Sequence, residues 1–200
     1  MKNNLQVISS LLNLQSRYIK NKTDKELFRE SQTRAKSMAL IHERLYQSKD
    51  LRRIDFGEYI QTLTYDIYHS YGGNPKVIKL NMDLESIMVD INTAVPCGLI
   101  VNELLSNTLK HAFPKGRMGD LNIKFYSKDD HLILIIQDNG IGFPDNLDFR
   151  NTESLGLSLV NTLVGQINGE IEIMVDHGTE FRITFPEVKF DGDNSSNRIA

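Results

Sequence analysis

The two apolar stretches of residues 121–138 limit the possible folds of this chain more than any other feature. The segments "LNIKFYS" and "HLILIIQD" are separated only by the polar residues "KDD". Apolar runs of this length, rich in β-branched and aromatic residues and joined by a short polar turn, predict a β-hairpin. A lone hairpin has little stability in water, so the chain must supply further strands and a covering layer of helices.

The sequence on either side of this hairpin predicts both. The segments "VIKLNMDL" and "IMVDI" predict strands before it, and "EIEIMV" and "EFRITFP" predict two strands after it, joined at "DHGT". Three amphipathic segments predict helices: "YIQTLTYDIYHSY", "IVNELLSNTLKHAF" and "LGLSLVNTLVGQI". Asp55 and Glu58 form a cap-like pair before the first, and we expect Pro96 in the first turn of the second. Helices should therefore cover one face of a mixed sheet.

The start of the chain has a different pattern. An apolar stripe without glycine or proline runs through residues 1–20 until "NKTDKE" interrupts it. Thr23 and Glu26 have the spacing of a capping box, so a second helix should begin near Asp24. Two antiparallel helices with such stripes need a partner to bury both. The sequence therefore predicts a homodimer through residues 1–48, which forms a four-helix bundle.

The predicted fold class is α+β, and the chain divides into three parts. Residues 1–50 form the dimerising helical hairpin, and residues 51–188 form an α/β sandwich. Residues 189–200 form a polar tail, which we expect to be disordered because it lacks the apolar residues needed for packing.

The charge and cysteine content narrow the classes of function. The net charge is -3 and no run of Lys or Arg exceeds two residues, which disfavours a nucleic-acid partner. Cys97 is the one cysteine, so the chain has no internal disulfide and fits a reducing compartment. No stretch approaches the roughly 18 apolar residues that span a bilayer. We expect a cytoplasmic segment without membrane contact, although upstream domains can anchor the whole protein.

The helix predicted over residues 100–113 carries polar side chains on one stripe. Glu103, Asn107 and Lys110 share a helical face, and His111 lies beside them. The carboxamide of Asn107 offers the hard, neutral oxygen that Mg²⁺ accepts in a triphosphate complex. Lys110 can meet a phosphate as a point charge, and Glu103 can orient or deprotonate a water or hold the hydration shell of the metal. A solvated helix face explains the same stripe, so this helix alone leaves both interpretations open.

Three further stretches offer groups for a nucleotide. Asp138 in "QDNGIGF" ends an apolar strand, where a carboxylate can accept a hydrogen bond from the exocyclic amine of adenine, whereas guanine presents a carbonyl. Gly140 and Gly142 permit positive φ and close approach of the backbone. Gly156 in "SLGLSLV" precedes a helix whose free N–H groups can face phosphate. Thr179 in "HGTEF" offers a hydroxyl within reach of the base. Taken singly, each stretch also fits an ordinary turn or helix start.

In this order and spacing, the four stretches resemble the Bergerat-type (GHKL) nucleotide-binding domain. Sensor histidine kinases, gyrase-type topoisomerases, MutL-type repair proteins and heat-shock chaperone ATPases share that domain. The resemblance covers about residues 54–186 and implies ATP and Mg²⁺ as cofactors. It assigns the metal to Asn107, the adenine to Asp138, and a short ATP lid to the loop from Phe143 to Leu155. It places Gly140, Gly142 and Gly156 in the loops around the nucleotide. We expect further nucleotide contacts from Lys110, His111, Leu157 and Thr179.

The hairpin resembles that of one group of histidine kinases, related to the group named for its His, Trp and Glu signature (HWE). The segments "KNNLQVISSLLNLQ" and "ALIHERLYQS" carry the likeness. In that group the phosphorylated histidine opens a run His-Arg-x-Lys-Asn-Asn. Residues 2–4 match its end, so the resemblance places the acceptor two residues before Met1, outside this chain. Asn3 would lie four positions after that acceptor on the same helix face, where its carboxamide can orient a water and assist dephosphorylation. The family also has a histidine at the position of His42, which indicates a packing role.

The resemblance implies the catalytic core of a two-component sensor histidine kinase. Such an enzyme passes a phosphoryl group from ATP to its own histidine and then to an aspartate of a response-regulator receiver domain. Since the acceptor lies outside the chain, we expect no autophosphorylation of these residues alone. An ATP-dependent serine kinase of the anti-sigma type uses the same sandwich without a long dimeric hairpin. A scaffold that binds nucleotide without catalysis is the other alternative, and it predicts wrong residues at the positions of Asn107 and Asp138.

Overall fold

The computed structural model describes residues 10–11, 14–15, 18–47, 53–144, 149 and 154–188. Several predictions therefore fall outside the described residues: most of the first helix of the hairpin, the assignments at residues 2–4, most of the predicted lid and the tail at 189–200.

The described helices and strands follow the predicted order. The α-helices are α1 (Lys22–Gln47), α2 (Phe56–Ser70), α3 (Ile91–His111) and α4 (Leu155–Gln166), with a short 3₁₀ turn at Pro114–Gly116. The strands are β1 (Arg53–Asp55), β2 (Ile78–Leu84), β3 (Met88–Asp90), β4 (Gly119–Lys128), β5 (His131–Asp138), β6 (Glu170–Met174) and β7 (Thr179–Pro186). Across these described helices, none has the length and apolar character that crossing a bilayer requires.

Five of the strands form one mixed sheet in the order β2-β4-β5-β7-β6. The pair β2–β4 is parallel and the other neighbours are antiparallel. The predicted hairpin is confirmed, because β4 and β5 pair from Leu121↔Asp138 to Lys128↔His131. Asp129 forms its turn at a φ of 52°. The sheet therefore carries Asp138 to the edge where β5 ends, beside the start of β7.

Helices cover one face of this sheet, as the sequence predicts, and the core lies between the two layers. Alternate residues of the central strands are fully buried on that face, and α3 crosses the middle of the helical layer. The apolar residues with 0% exposure in β4, β5 and α3 are Leu121, Ile123, Phe125, Leu134, Ile136, Ala94, Ile100, Val101 and Leu104. Helix α3, which carries the polar stripe, is therefore itself part of the core.

The start of α3 differs from the prediction. The helix begins at Ile91, so Pro96 lies in the second turn, and the expectation of a first-turn proline is wrong. The reason is the cap: the carboxylate of Asp90 accepts hydrogen bonds from the backbone N–H groups of Asn92 (2.7 Å) and Thr93 (3.3 Å). The cap predicted for α2 is confirmed, since Asp55 accepts from the N–H of Glu58 at 3.0 Å.

Two further features did not follow from the sequence. Strand β1 pairs antiparallel with β3 outside the main sheet, so "IMVDI" contributes a short strand that does not extend the five-stranded sheet. Helix α1 packs on α3 and α2. Ser37 and Ile41 of α1 are 1% and 0% exposed, and the Tyr59 hydroxyl of α2 donates to the carbonyl of Ser37 at 3.4 Å. Part of α1 is therefore buried against the sandwich itself.

Candidate functional site

The polar stripe of α3 contacts two different parts of the molecule. Glu103 and Lys110 face α1, where Glu103 pairs with Arg34 and Lys110 pairs with Glu30. Thr108, on a neighbouring face, lies instead against the end of β5. Asn107 is half-buried and lies on the stripe between Glu103 and Lys110, the two residues that pair with α1. The stripe that we expected to face a nucleotide as a unit is thus shared between the hairpin helix and the sheet.

The Glu103 carboxylate is held by three donors. Arg34 donates from Nε to Oε1 at 2.6 Å and from Nη2 to Oε2 at 2.7 Å, and Asn102 Nδ2 donates to Oε1 at 3.1 Å. Glu103 is 4% exposed, and its hydrogen bond raises the pKa of Arg34 although burial opposes this. A bidentate, charge-assisted pair of this kind fixes both side chains in one geometry.

The same carboxylate lies against the start of α4. A Cβ added to Gly156 would stand 2.7 Å from Glu103 Oε2, so a larger residue there would displace the carboxylate from Arg34. Gly156 is in the first turn of α4, and the next residue, Leu157, is buried in the core. The absence of a side chain at Gly156, which we predicted near phosphate, therefore allows α4 to approach the Glu103 carboxylate of α3, which Arg34 of α1 also contacts.

The Asp138 carboxylate forms the second centre of polar contacts. Asp138 is 5% exposed and accepts a hydrogen bond from the backbone N–H of Gly140 at 2.9 Å. Burial raises the pKa of Asp138, and its polar neighbours Gly140, Thr179 and Thr108 oppose the rise. A buried carboxylate beside a glycine loop is a common feature of sites that recognise a specific ligand.

Close backbone contacts build the loop that follows Asp138. A Cβ on Gly140 would lie 2.3 Å from the carbonyl oxygen of Ala112 at the end of α3, and one on Gly178 would lie 2.0 Å from the carbonyl oxygen of Asp138. The N–H of Ile141 bonds to that same Ala112 carbonyl at 3.0 Å. The loop is therefore fixed to α3 on one side and to the start of β7 on the other, at a distance that only glycine allows.

The remaining predicted residues surround this loop at different depths. Gly142 has a φ of 85°, as a predicted turn glycine should, and Thr179 is buried at the first position of β7, opposite Asp138. His111 is exposed at the end of α3. Within the predicted lid, the ring of Phe143 packs edge-on against the ring of Phe149, and it packs in the same way against Phe181 of β7. The lid residues 145–148 and 150–153, and the side chain of His42, lie outside the described residues.

Sequence reasoning missed three residues that contact the predicted site: Glu30, Arg34 and Thr108. Glu30 and Arg34 are four positions apart on α1, a spacing that predicts a shared helix face. The spacing does not predict which part of the molecule that face contacts. Thr108 stands in the quoted helix at a buried position, where a hydroxyl needs a partner. Within the described ranges, no group of three or more His, Cys, Asp or Glu side chains is placed to hold a metal ion.

Known proteins match this chain in both parts. Residues 1–71 match a family model described as histidine kinase (HisKA_2), and residues 93–189 match one described as histidine kinase-, DNA gyrase B- and HSP90-like ATPase (HATPase_c). The sensor histidine kinase PdtaS of Mycobacterium tuberculosis is 30% identical over 173 residues, which cover 86% of this chain and 34% of that protein. The blue-light-activated histidine kinase 2 of Erythrobacter litoralis is 29% identical over 138 residues, which cover 64% of this chain and 39% of that protein.

Among solved structures, the histidine kinase domain of the EL346 blue-light activated histidine kinase from Erythrobacter litoralis has a similar fold. It aligns with a TM-score of 0.74 at 26% identity, and the alignment covers 92% of this chain and 86% of that one. The chain spans about a third of the length of the curated relatives that it matches first. The likeness therefore concerns one region of longer proteins.

Proposed function

Because this chain belongs to the histidine kinase family and carries its two catalytic-core domains, we propose that it acts as an ATP-dependent protein histidine kinase in two-component signalling. The observation that carries the proposal is the buried Asp138 carboxylate, which Gly140 and Thr179 hold next to α3. Such a carboxylate can accept the amino group of adenine, and guanine would present an acceptor in its place. The serine-kinase alternative finds no support in the match of residues 1–71.

The residues of α3 suit the phosphate end of the nucleotide. Asn107 is half-buried and offers a neutral oxygen, so it would hold Mg²⁺ together with the phosphates. The ammonium group of Lys110 has three N–H donors, so it can maintain its ion pair with Glu30 and still donate to a phosphate. When bound, Mg-ATP supplies the γ-phosphoryl group, and the protein contributes positioning and neutralisation of charge. His111, Gly142, Gly156 and Leu157 keep their assignment around the nucleotide as part of this proposal.

The proposed acceptor of the phosphoryl group is the histidine that the motif at residues 2–4 places two positions before Met1. Its imidazole nitrogen attacks the γ-phosphorus, the bond to the β,γ-bridging oxygen breaks, and ADP leaves. An aspartate of a response-regulator receiver domain then takes the phosphoryl group from the histidine. We further propose that Asn3 assists hydrolysis of the phosphoryl group and that His42 packs within the hairpin.

A homodimer through residues 1–48 is part of the same proposal. One face of α1 is buried on the sandwich. Two other apolar side chains of the same helix are exposed, Leu27 to 54% and Met38 to 36%. Apolar side chains of this size on one helix favour a second helical surface as partner. Leu27→Glu combined with Met38→Glu should give monomers in light scattering. A dimer that persists in the double variant would place the interface on the sandwich.

Nucleotide titrations test the proposed site. The chain should bind Mg-ATP far more tightly than Mg-GTP, and Asn107→Ala should weaken the magnesium-dependent affinity for ATP by at least about tenfold. Asn92→Ala is the matched control, since Asn92 is exposed at the other end of the same helix. Equal affinities for ATP and GTP, or an unchanged Asn107→Ala variant, would contradict the site.

A labelling experiment tests the transfer. Radiolabelled ATP should leave an acid-labile label on the chain extended upstream by its natural residues, but none on residues 1–200 alone. A stable, acid-labile label on the unextended chain would assign the acceptor to another histidine, such as His42. No label on the extended chain, despite tight binding of ATP, would favour the scaffold alternative.

A further inference from the structure

The Glu103 carboxylate of α3 is held by a residue that lies outside the ATPase domain in the sequence. Arg34 belongs to α1 and comes 69 positions before Glu103, yet its Nε and Nη2 donate to Oε1 and Oε2 at 2.6 and 2.7 Å. The match to the ATPase family begins only at residue 93. A guanidinium that spans both oxygens fixes the plane and the direction of a carboxylate. Helix α1 therefore sets the orientation of a side chain on the helix that we propose binds the nucleotide.

The number of donors at each oxygen shows which part of the Glu103 carboxylate stays available. An ionised carboxylate offers about four acceptor positions. Oε1 accepts from Arg34 and from Asn102 Nδ2 at 3.1 Å, whereas Oε2 accepts from Arg34 alone among the described residues. A Cβ on Gly156 would stand 2.7 Å from Oε2, so this oxygen lies against the first turn of α4. The remaining acceptor position is thus on the oxygen that is nearer to α4.

The neighbours of Oε2 are the groups that we propose for the phosphate end of the nucleotide. Asn107, the proposed Mg²⁺ ligand, lies one helical turn after Glu103 on the same face of α3. Gly156 opens the helix that we propose faces the phosphates. Mg²⁺ bound to a protein usually keeps several of its waters, and such waters donate hydrogen bonds. A carboxylate oxygen with one free acceptor position between these two elements is suited to accept from them.

We propose that Arg34 is a positioning residue of the nucleotide site, whose bidentate pair with Glu103 keeps Oε2 available as an acceptor for the waters of a Mg²⁺ ion that Asn107 binds together with the nucleotide phosphates. The inference rests on the proposed function, in which Asn107 holds the metal. Arg34 acts through Glu103 and needs no contact with the nucleotide. Helix α1 of the hairpin thereby completes the metal site of the ATPase domain.

A pair that only holds α1 in place makes a different prediction. Removing Arg34 would then lower the stability of the chain and weaken nucleotide binding to the same extent with and without metal. A positioning role instead lowers the part of the affinity that depends on Mg²⁺. The factor by which Mg²⁺ increases the affinity for ADP therefore separates the two roles, and we call it the magnesium factor.

Calorimetric titration of the whole chain with ADP, once in excess Mg²⁺ and once in EDTA, measures the magnesium factor. We expect Arg34→Met to reduce it about tenfold, as is typical when a residue that orients a metal site is removed. Arg34→Lys keeps the charge but cannot span both carboxylate oxygens, so its factor should lie between those of Arg34→Met and the wild type. Glu103→Gln should also reduce the factor. Adding Arg34→Met to Glu103→Gln should cause no further loss, because Arg34 acts only through Glu103.

Lys36→Met is the matched control, because it removes a cation from the same helix in a surface pair with Asp66 and should leave the magnesium factor unchanged. If Arg34→Met does not fold, Arg34→Lys must show the reduced factor. A folded Arg34 variant that keeps the wild-type factor would overturn the inference.

The proposed metal site fails in a different way. A wild-type chain whose affinity for ADP does not increase with Mg²⁺ would overturn the role of Asn107, and so would an Asn107→Ala variant that keeps the wild-type magnesium factor. The failure of the inference about Arg34 and the failure of the proposed site are therefore distinct.

Discussion

The two sides of α3 satisfy their polar groups in opposite ways. On the side of α1, each charge meets an opposite charge, since Glu103 pairs with Arg34 and Lys110 with Glu30. On the side of β5, the carboxylate of Asp138 accepts a hydrogen bond from the neutral backbone N–H of Gly140 at 2.9 Å. The first side is neutralised within the chain. The second keeps a net negative charge in a buried place, which a ligand with a donor group can use.

This difference separates the contacts that hold α1 in place from the carboxylate that we propose recognises a ligand. Opposite charges that meet at short range fix the position of α1 on the ATPase domain, and they do so in a partly buried place where screening by salt is weak. An unneutralised buried carboxylate lowers stability, and proteins keep such groups mainly at functional sites. Helix α1 and the proposed nucleotide site therefore both contact α3.

The largest expected effect comes from breaking the charged side. Arg34→Met removes the guanidinium and leaves the Glu103 carboxylate, 4% exposed, with Asn102 as its remaining donor. Removing one partner of a buried pair typically lowers the free energy of unfolding by about 3 kcal/mol. Urea denaturation at pH 7 measures it, and adding Glu103→Gln should recover part of the loss. A loss below about 1 kcal/mol would mean that the pair behaves like an exposed one.

The second-largest effect is expected on the preference for ATP over GTP, when Asp138 is replaced by a residue of the same shape. Asp138→Asn keeps the size of the side chain but replaces an acceptor oxygen by a donor, so the carboxamide can turn its NH₂ toward guanine. A site built around one polar group typically loses about 100-fold or more of its discrimination in this way. Competition between ATP and GTP measures the ratio. A variant that keeps the wild-type preference for ATP would place base recognition elsewhere.

The pH dependence of stability sharpens the same contrast. The pKa of Asp138 is raised in the folded chain by burial, so between the unfolded and folded pKa values the native state binds more protons. The stability that Asp138 contributes therefore falls as the pH rises through this window and stays level above it. The difference in unfolding free energy between the wild type and Asp138→Asn should decline from about pH 4, the unfolded carboxyl range, upward. A difference that increases with pH would reverse the sign of the shift.

The smallest expected effect comes from an exposed charge pair on the same hairpin helix. Lys36 and Asp66 lie 3.0 Å apart, but their side chains are 60% and 40% exposed. Solvent-exposed pairs contribute about 0.5 kcal/mol or less, so Lys36→Met should unfold almost as the wild type does in the same urea experiment. It is the control for Arg34→Met, and a comparable loss in both variants would assign the effect to α1 as a whole.

Local patterns predicted the parts of the fold that depend on neighbouring residues. The alternation and turn residues of 121–138 predicted a hairpin, which the structure confirms in β4 and β5. The spacing of Asp55 and Glu58 predicted the cap of α2. The start of α3 was predicted wrongly, because proline is compatible with more than one position near a helix start and the carboxylate of Asp90 decided between them.

The candidate site shows where such patterns end. Local patterns were enough to place Asp138 at the end of a strand before two glycines, because strand length and turn chemistry are set within a few residues. The contact between Arg34 and Glu103, a pair 69 residues apart in the chain, followed from the packing of the helices. Side chains so distant meet only after the helices have packed on the sheet. The packing is selected by burial of the whole apolar core, and no local pattern of residues encodes it.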